Sequence, residues 1–349
     1  MKFFLFLVLF SFPVFSSSCL TSNLIAWENS PFTKIPVYDQ DGSSLCHAYA
    51  SAQLVDYHLI SNGRGQRSVH PAWVGLTHAQ YRGRDHIAGG AIDKAIESLR
   101  LYGNCSPEKV AHSLNSLANK ARITEAEVLS IIGKLAREIN RKGQSTGPTQ
   151  LRSAFASAIE QHEPFCSPGA VLENLLPELE SLNVMSSEKM LSSLLFSGCQ
   201  DKESLTLPAP KYHKFSSDEE VLPYLEKSLQ GGKPASISFC SKVIQTPQFD
   251  GLPLNHDRFK STSDCGDHEA LIVGSKKVGE TCQLLIRNSW GAGWSKSNNR
   301  YKCLCRNKID GSLADDCTSA THHNSQWLVE ACWMDAKNIA RNTWAATNL

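Results

Sequence analysis

Residues 286–294 read Ile-Arg-Asn-Ser-Trp-Gly-Ala-Gly-Trp, and this stretch decides how the rest of the chain is interpreted. It follows an apolar run that predicts a buried strand, and its glycines predict a turn. Asn288, at the strand end, is suited to accept a hydrogen bond from an imidazole and so fix the ring's tautomer. Trp290 can shield such a bond from water. The alternative is a glycine-rich turn with core tryptophans, and the specific run at 287–292 argues against it.

A second stretch places a cysteine at the beginning of a predicted helix. Apolar residues recur at spacings of three and four over residues 45–59, and Ser43 and Ser44 are residue types that cap helices. Unpaired N–H groups at a helix N-terminus favour negative charge, so we expect a stabilised Cys46 thiolate, the nucleophilic form of the side chain. Taken alone, Cys46 is more typical of a disulfide or of the core.

Two more polar residues have positions suited to the same chemistry. Gln40 precedes Cys46 by six residues, and its side-chain amide can help the Cys46 backbone N–H to hold a developing oxyanion. His268 begins the buried strand pattern at 270–273, which suits a general base with a fixed backbone and an exposed ring edge. The chain has twelve histidines, and a lone histidine is more often a surface residue.

These stretches together resemble the papain-like cysteine peptidases, the group of papain and the cathepsins. Gln-x5-Cys, Asp-His-x-Ala and Asn-Ser-Trp-Gly occur in the family's order, and Gly89-Gly90 matches its substrate-pairing glycines. Residues 221–239 resemble the helix and strand that precede the family's histidine. The resemblance covers about residues 33–104 and 212–340.

The resemblance implies an α+β papain-like fold with an N-terminal helical lobe and a C-terminal β-rich lobe. Predicted helices followed by predicted strands favour the α+β class independently. It also implies no metal or organic cofactor, and a cleft site between the lobes. The implied roles are nucleophile, base, orienting residue and oxyanion donor for Cys46, His268, Asn288 and Gln40, and substrate contacts for Gly89, Gly90 and Trp290.

The sequence also departs from the family pattern. The family reads Cys-Gly-Ser-Cys-Trp around the nucleophile, whereas residues 43–47 read Ser-Ser-Leu-Cys-His. The family's partner for that first cysteine is missing too, because Ile87 and Ala88 stand there. Losing both ends of one disulfide is coherent. We interpret His47 as a packing substitute, because it points about 100° away from Cys46 on the helix.

The spacing predicts a large insertion. His268 follows Cys46 by 222 positions, where the family needs about 130–150, so roughly 70–90 residues are extra. They fall in a helical stretch at about 115–205, interrupted by prolines. This segment is interpreted as a lid over the cleft, a partner platform, an inhibitory element or a solvated decoration. Between Ser18 and Thr33 there is no room for the family's propeptide, so we expect another form of control.

The N-terminus predicts export. Lys2 precedes an apolar run of about 13 residues and three serines, which is typical of a signal peptide over residues 1–18. A bilayer span needs about 20 residues, so no membrane span is expected. A buried strand or helix is the alternative. The peptidase domain is expected over 19–349, in a secreted, periplasmic or lysosome-like compartment.

The cysteine count agrees with an oxidising compartment. With Cys19 and Cys46 set aside, ten of the twelve cysteines remain, an even number whose pairing cannot be read from sequence. Ser-Ser-Ser-Cys at 16–19 loosely resembles a lipobox, although Ser16 replaces the usual leucine. A lipid anchor at Cys19 therefore stays an alternative.

The sequence thus predicts a monomeric secreted cysteine peptidase that acts on peptides or proteins. The net charge of +1 and the absence of a basic stripe disfavour nucleic acid as a partner. Two other functions use the same residues. One is a catalytically silent relative that binds peptides, and the other is an acyl transferase that accepts an amine.

Overall fold

The chain was analysed as a computed structural model that describes most residues outside the N-terminus and the central helical segment. The described residues are 19–40, 43–66, 68–84, 86–121, 123–132, 153, 156, 177, 187–196, 198–245, 266–291, 301–317 and 326–349. The predicted signal peptide and much of the predicted helical stretch at about 115–205 lie outside them. The predicted α+β class is confirmed, because helices pack against one antiparallel sheet.

The sheet has nine strands within the described residues, and every pairing is antiparallel. The strands are β1 (Ser22–Asn23), β2 (Lys211–Lys214), β3 (Ala235–Cys240), β4 (Asp267–Val278), β5 (Thr281–Arg287), β6 (Cys303–Asn307), β7 (Leu313–Cys317), β8 (Trp327–Asp335) and β9 (Thr343–Asn348). Their order is β2-β9-β3-β4-β5-β8-β6-β7, with β1 paired to β4. His268 lies on β4 and Asn288 directly follows β5, so adjacent strands carry these two residues.

The helices lie mainly before the sheet in sequence. They are α1 (Cys46–Ser61), α2 (Pro71–Tyr81), α3 (Ile92–Tyr102), α4 (Pro107–Ala121), α5 (Ser187–Phe196), α6 (Val221–Gln230), α7 (Lys242–Gln245) and α8 (Ala336–Arg341), with 3-10 turns at Pro31–Thr33 and Asp218–Glu220. Residues 125–132 are also helical. The helix predicted over residues 45–59 is confirmed within a few residues as α1, and the helix and strand that the resemblance implies within residues 221–239 are observed as α6 and β3.

Helix α1 is the centre of the molecule. Twelve of its sixteen residues are buried, because it packs against α2 and α3 on one side and against β3 and β4 on the other. A helix covered on nearly every side reads as apolar all round rather than as one stripe. Because α1 packs against β3 and β4, its first residue, Cys46, lies close to the sheet.

The predicted serine cap of α1 is wrong. The residue that caps the helix is Leu45, which makes no side-chain cap hydrogen bond. Ser44 adopts a left-handed conformation with φ of 60°, and the Ser43 hydroxyl is buried without a hydrogen-bond partner. Neither serine is therefore the N-cap residue of α1.

Disulfide bonds cross-link the described part of the chain. Four join Cys19 to Cys282, Cys105 to Cys199, Cys303 to Cys332 and Cys305 to Cys317, and Cys240 is also disulfide-bonded. Bonds of this kind persist in oxidising compartments.

The alternative of a lipid anchor at Cys19 is wrong in this structure. The Cys19 sulfur is bonded to Cys282 and so has no valence left for a lipid thioether. The even count of ten cysteines assumed that Cys19 forms no disulfide, and this assumption is wrong because Cys19 is paired with Cys282. Ser275 also donates a hydrogen bond from its hydroxyl to the Leu20 carbonyl, so β4 and β5 hold the chain at residues 19–20.

The two ends of the helical segment at about 115–205 meet at one place. Cys105 is joined to Cys199, and Asn104 and Glu203 exchange two backbone hydrogen bonds of 2.8 Å. Glu203 also pairs with Arg64, just beyond the C-terminal end of α1. Sixteen residues separate that end from Cys46, a length of about 24 Å along the helix axis.

These contacts place the two ends of the segment near the C-terminal end of α1, and a lid over Cys46 stays a prediction. A further contact joins Glu125 to His70, the cap of α2, at 2.8 Å, and His70 lies only six positions beyond Arg64. No helix in the described part of the chain is both long and apolar enough to cross a membrane.

Candidate active site

The site begins where β5 ends in a turn. Asn288 follows the last residue of β5, and its side-chain oxygen accepts two hydrogen bonds, from the His268 ring at 2.7 Å and from the Ser289 backbone N–H at 2.9 Å. An amide oxygen only accepts, so the bonded ring atom, Nε2, carries the proton. The other ring nitrogen, Nδ1, is then the basic one.

His268 lies in a dry, aromatic environment. It is 3% exposed, with the Trp290 ring 4.6 Å and the Phe239 ring 5.5 Å from its centroid. Desolvation lowers the pKa of His268 to about 4, and the hydrogen bond with Asn288 opposes that shift. At neutral pH the imidazole is therefore uncharged and able to accept a proton.

Cys46 is the first residue of α1, and it is the one free thiol among the described cysteines. The residue as a whole is partly exposed, while its thiol is largely shielded from water by its surroundings. The backbone N–H of Glu269 lies close enough to the sulfur to lower its pKa. Because Glu269 follows His268 directly, the beginning of α1 and the beginning of β4 meet at this site.

Burial opposes ionisation of the resting Cys46 thiol. Desolvation, and secondarily the charge of Glu269, raise the pKa of Cys46 to about 12. The N–H groups of Glu269, His47 and Cys46 itself act in the opposite direction but are outweighed. The helix amides thus favour the thiolate, as expected, but they do not by themselves offset the desolvation of the sulfur.

Gln40 is held against the Asn288 turn. Its backbone N–H donates to the Ser289 carbonyl at 2.7 Å, and its side-chain oxygen accepts the Ser289 hydroxyl at 2.6 Å. The Gly291 N–H donates to Tyr38, which extends the pairing. With its carbonyl engaged, the side chain of Gln40 has its NH₂ group left to donate.

The glycine pair, Gly89 and Gly90, lies beside the loop that precedes Cys46. Gly89 donates its N–H to the Ser44 carbonyl at 3.0 Å. A Cβ atom on Gly90 would lie 2.5 Å from the ring of His47 and 2.6 Å from that of His78. Glycine is therefore required at position 90 for steric reasons. His47 is fully buried against His78, with ring centroids 4.7 Å apart, as expected for a packing residue.

Sequence reasoning missed the role of Arg287. This fully buried side chain contacts the Glu330 carboxylate at 3.2 Å, the Ile35 carbonyl at 2.8 Å and the Gln53 side chain on α1. Arg287, which directly precedes Asn288, therefore connects the end of β5 to α1. The only trace of this in the sequence is a charged residue at the end of an apolar strand.

Sequence reasoning also missed Glu269. Its side chain is 7% exposed, and both carboxylate oxygens accept from the Ser238 hydroxyl, at 2.8 and 2.9 Å. Desolvation raises the pKa of Glu269 well above its ordinary value, with Asp267 and Asp93 adding to the shift and Ser238 opposing it. An acidic residue at this point of an apolar strand was the available signal.

A cavity elsewhere is not part of this site. It is lined by Tyr57, His58, Gly232 and Lys233, among others, at the C-terminal end of α1. That end is the one remote from Cys46.

Comparisons with known proteins give only distant likenesses. No family model matches the chain, and no curated protein sequence matches it. Among solved structures, one match is the digestive procathepsin L2 proteinase from the Tenebrio molitor larval midgut, with 14% identity, a TM-score of 0.39, and 90% of this chain and 67% of that one covered. Procathepsin L 3 from the same source gives 13%, 0.36, 90% and 66%. Likenesses at this level assign neither a family nor an activity.

Proposed function

We propose that this chain is a papain-like cysteine peptidase that hydrolyses peptide bonds, with its site between a helical lobe and a β-rich lobe. The observation that carries the proposal is the hydrogen bond between His268 and Asn288, set beside a free cysteine at the beginning of α1. The order of the sequence motifs supports the same assignment. Roles for these residues remain part of the proposal.

The proposed reaction begins with a neutral pair. As the Cys46 sulfur attacks the peptide carbonyl carbon, His268 Nδ1 takes the thiol proton, and the carbonyl π electrons move to oxygen. The Gln40 NH₂ group and the Cys46 backbone N–H donate to that oxyanion. His268 then gives its proton to the leaving amine, and a thioester remains. Water attacks the thioester with His268 again as base, which releases the acid and restores the thiol.

A peptide-cleavage assay tests the proposal and separates its two rivals. The mature protein is incubated with a peptide library, with and without prior alkylation of Cys46, and the product masses are measured by mass spectrometry. New termini that disappear on alkylation support a peptidase. Binding without cleavage indicates the silent relative, and products carrying an added amine indicate an acyl transferase. Either result would overturn the hydrolytic assignment.

The Asn288 hydrogen bond predicts an unequal effect of two substitutions. His268→Ala should lower kcat/KM by about 10²–10⁴-fold, because general acid–base catalysis is lost. Asn288→Ala should lower it less, because the ring keeps its chemistry and loses only its orientation. Steady-state kinetics on one peptide would compare them. Equal losses would instead indicate that Asn288 mainly holds the turn together, and unfolding curves for both variants are the control.

Export is expected to produce a mature chain that begins between Cys19 and Asn23, and within that range the disulfide of Cys19 favours a start at Cys19 itself. Intact mass before and after reduction and alkylation would measure both the terminus and the oxidised cysteines. A protein that kept Met1, or that titrated ten free thiols without reduction, would contradict this expectation.

A further inference from the structure

Two buried histidines pack against each other beside the glycine pair. His47 is the second residue of α1 and His78 lies on α2, and their ring centroids are 4.7 Å apart. Neither ring nitrogen of His47 has a hydrogen-bond partner among the residues that the structure describes. Buried polar atoms normally have such partners, so an imidazole without one is unusual. Neither histidine takes part in the proposed reaction.

Gly90 lies against both rings. A Cβ atom at this position would be 2.5 Å from Cδ2 of His47 and 2.6 Å from Cε1 of His78, so only the bare glycine backbone fits there. The two rings are buried, whereas Gly90 is partly exposed and Gly89 is exposed. The glycine pair is therefore a neighbour of the rings that can move towards solvent.

Few hydrogen bonds hold this glycine segment in place. The Gly89 N–H donates to the Ser44 carbonyl at 3.0 Å, and the Arg84 guanidinium donates to the Gly89 carbonyl at 3.1 Å in an exposed position. His86, earlier in the same loop, bonds through its ring to the Ala88 carbonyl at 3.0 Å. The packing of Gly90 on the two rings is thus a substantial part of what fixes the segment.

We propose that the His47–His78 pair is an acid-sensitive support for Gly90: the neutral rings hold the segment at 89–90 in place, and protonation of the pair displaces it. The two histidines are thus positioning residues that act through Gly90. The consequence for catalysis rests on the proposed peptidase function, in which Gly89 and Gly90 contact the substrate. The displacement of the segment does not.

The closed arrangement accepts only neutral rings. A neutral imidazole has one N–H group, and a protonated one has two together with a positive charge. His47 offers no acceptor to these groups and is out of reach of water, so its protonation is strongly opposed. Desolvation is the main cause that lowers the pKa of His47 well below its ordinary value and that of His78 to about 4.

The charged groups that act on the pair are cationic. Arg84 lowers the pKa of both histidines, and Arg82 and His86 lower that of His78 further. β3 carries no charged residue. The other titratable residues at this end of α1 come from α1, α3 and β4 and are not among the causes of either shift: Cys46, Asp93, Asp267, His268 and Glu269.

Acid therefore favours the opened form. A histidine that reaches water has a pKa of about 6.5, so the opened form binds more protons than the closed form below that pH. The closed form is fully stable above about pH 6.5 and loses stability as the pH falls towards about 4, the pKa of closed His78. Each histidine that is solvated on opening favours the opened form about 30-fold more at pH 5.0 than at pH 7.5.

Hydrogen exchange of the Gly89 N–H measures this opening directly. The mature protein is exchanged at about pH 7.5 and about pH 5.0, on either side of the ordinary histidine pKa. A peptic peptide that contains Gly89 is followed by mass, and each rate is divided by that of the denatured protein at the same pH. Wild type is compared with His47→Phe/His78→Phe, which keeps two aromatic rings and removes both titrations.

Wild type should lose about 30-fold or more of its protection at Gly89 between the two pH values, and the double variant should lose none. His112→Phe is the matched control, because it makes the same change at an exposed histidine of α4. It should follow wild type. Constant protection in wild type, an equal loss in the double variant, or a His112→Phe protein that loses none would overturn the proposal.

The two single variants cover the case in which the double variant does not fold. Each removes one titration, so His47→Phe or His78→Phe should lose less protection than wild type, and an unchanged loss in both would contradict the proposal. Hydrogen exchange does not depend on peptide hydrolysis. An acid-sensitive segment in a protein that cuts no peptide would refute the peptidase and leave this inference standing. Where peptides are cut, acid should raise the KM of wild type and leave that of the double variant unchanged.

Discussion

Replacing Cys46 with alanine is expected to abolish peptide hydrolysis while leaving the fold intact. Cys46 is the free thiol among the described cysteines, and it lies at the beginning of the central helix, next to the strand that carries His268. Without sulfur no thioester forms, and removal of a nucleophile in hydrolases costs on the order of 10⁴–10⁶ in kcat. The measurement is kcat/KM on the best peptide found in the library.

The fold of this variant is expected to survive for a specific reason. Cys46 is partly exposed and makes no disulfide, so alanine leaves no large cavity. The denaturant midpoint should therefore stay close to that of wild type. A variant that retained more than about a hundredth of the activity would show that Cys46 is not the nucleophile.

Replacing Glu330 with glutamine is expected to produce the largest loss of stability. Glu330 is 3% exposed and holds two cations, the fully buried Arg287 and the partly exposed Arg306 at 2.7 Å. Removing one partner of a buried pair leaves an uncompensated charge out of water, which costs about 3–5 kcal/mol. Chemical denaturation with disulfides intact would measure the free energy of unfolding.

A surface pair provides the matched control. Arg64 and Glu203 also form a close ion pair, but their side chains are 36% and 53% exposed. Glu203→Gln should therefore cost no more than about 1 kcal/mol. If Glu330→Gln were as mild as Glu203→Gln, the buried network would not be what ties the end of β5 to α1.

The elements predicted correctly from the sequence are those with strong local patterns. The strand patterns at 270–273 and 284–286 became β4 and β5, and the spacing after Gly89-Gly90 became α3. Helix α2 was missed, because it is buried almost throughout and shows no polar face. Strands β2 and β9 were also missed. Each carries polar side chains, and they pair with each other only after the chain has folded.

The sequence by itself determined which side chains carry the candidate chemistry. Cys46, His268, Asn288 and Gln40 were proposed from residue type and position together with the order of motifs that resembles the papain-like family, because Cys46 and His268 taken alone are more typical of other roles. Tertiary structure alone decided what surrounds them. The Arg287 contact with Gln53 spans 234 positions, and Cys19 and Cys282 are separated by 263. Burial by such distant segments raises the pKa of Cys46, whereas the helix amides lower it. Desolvation depends on which parts of the chain exclude water, and no local sequence pattern records that.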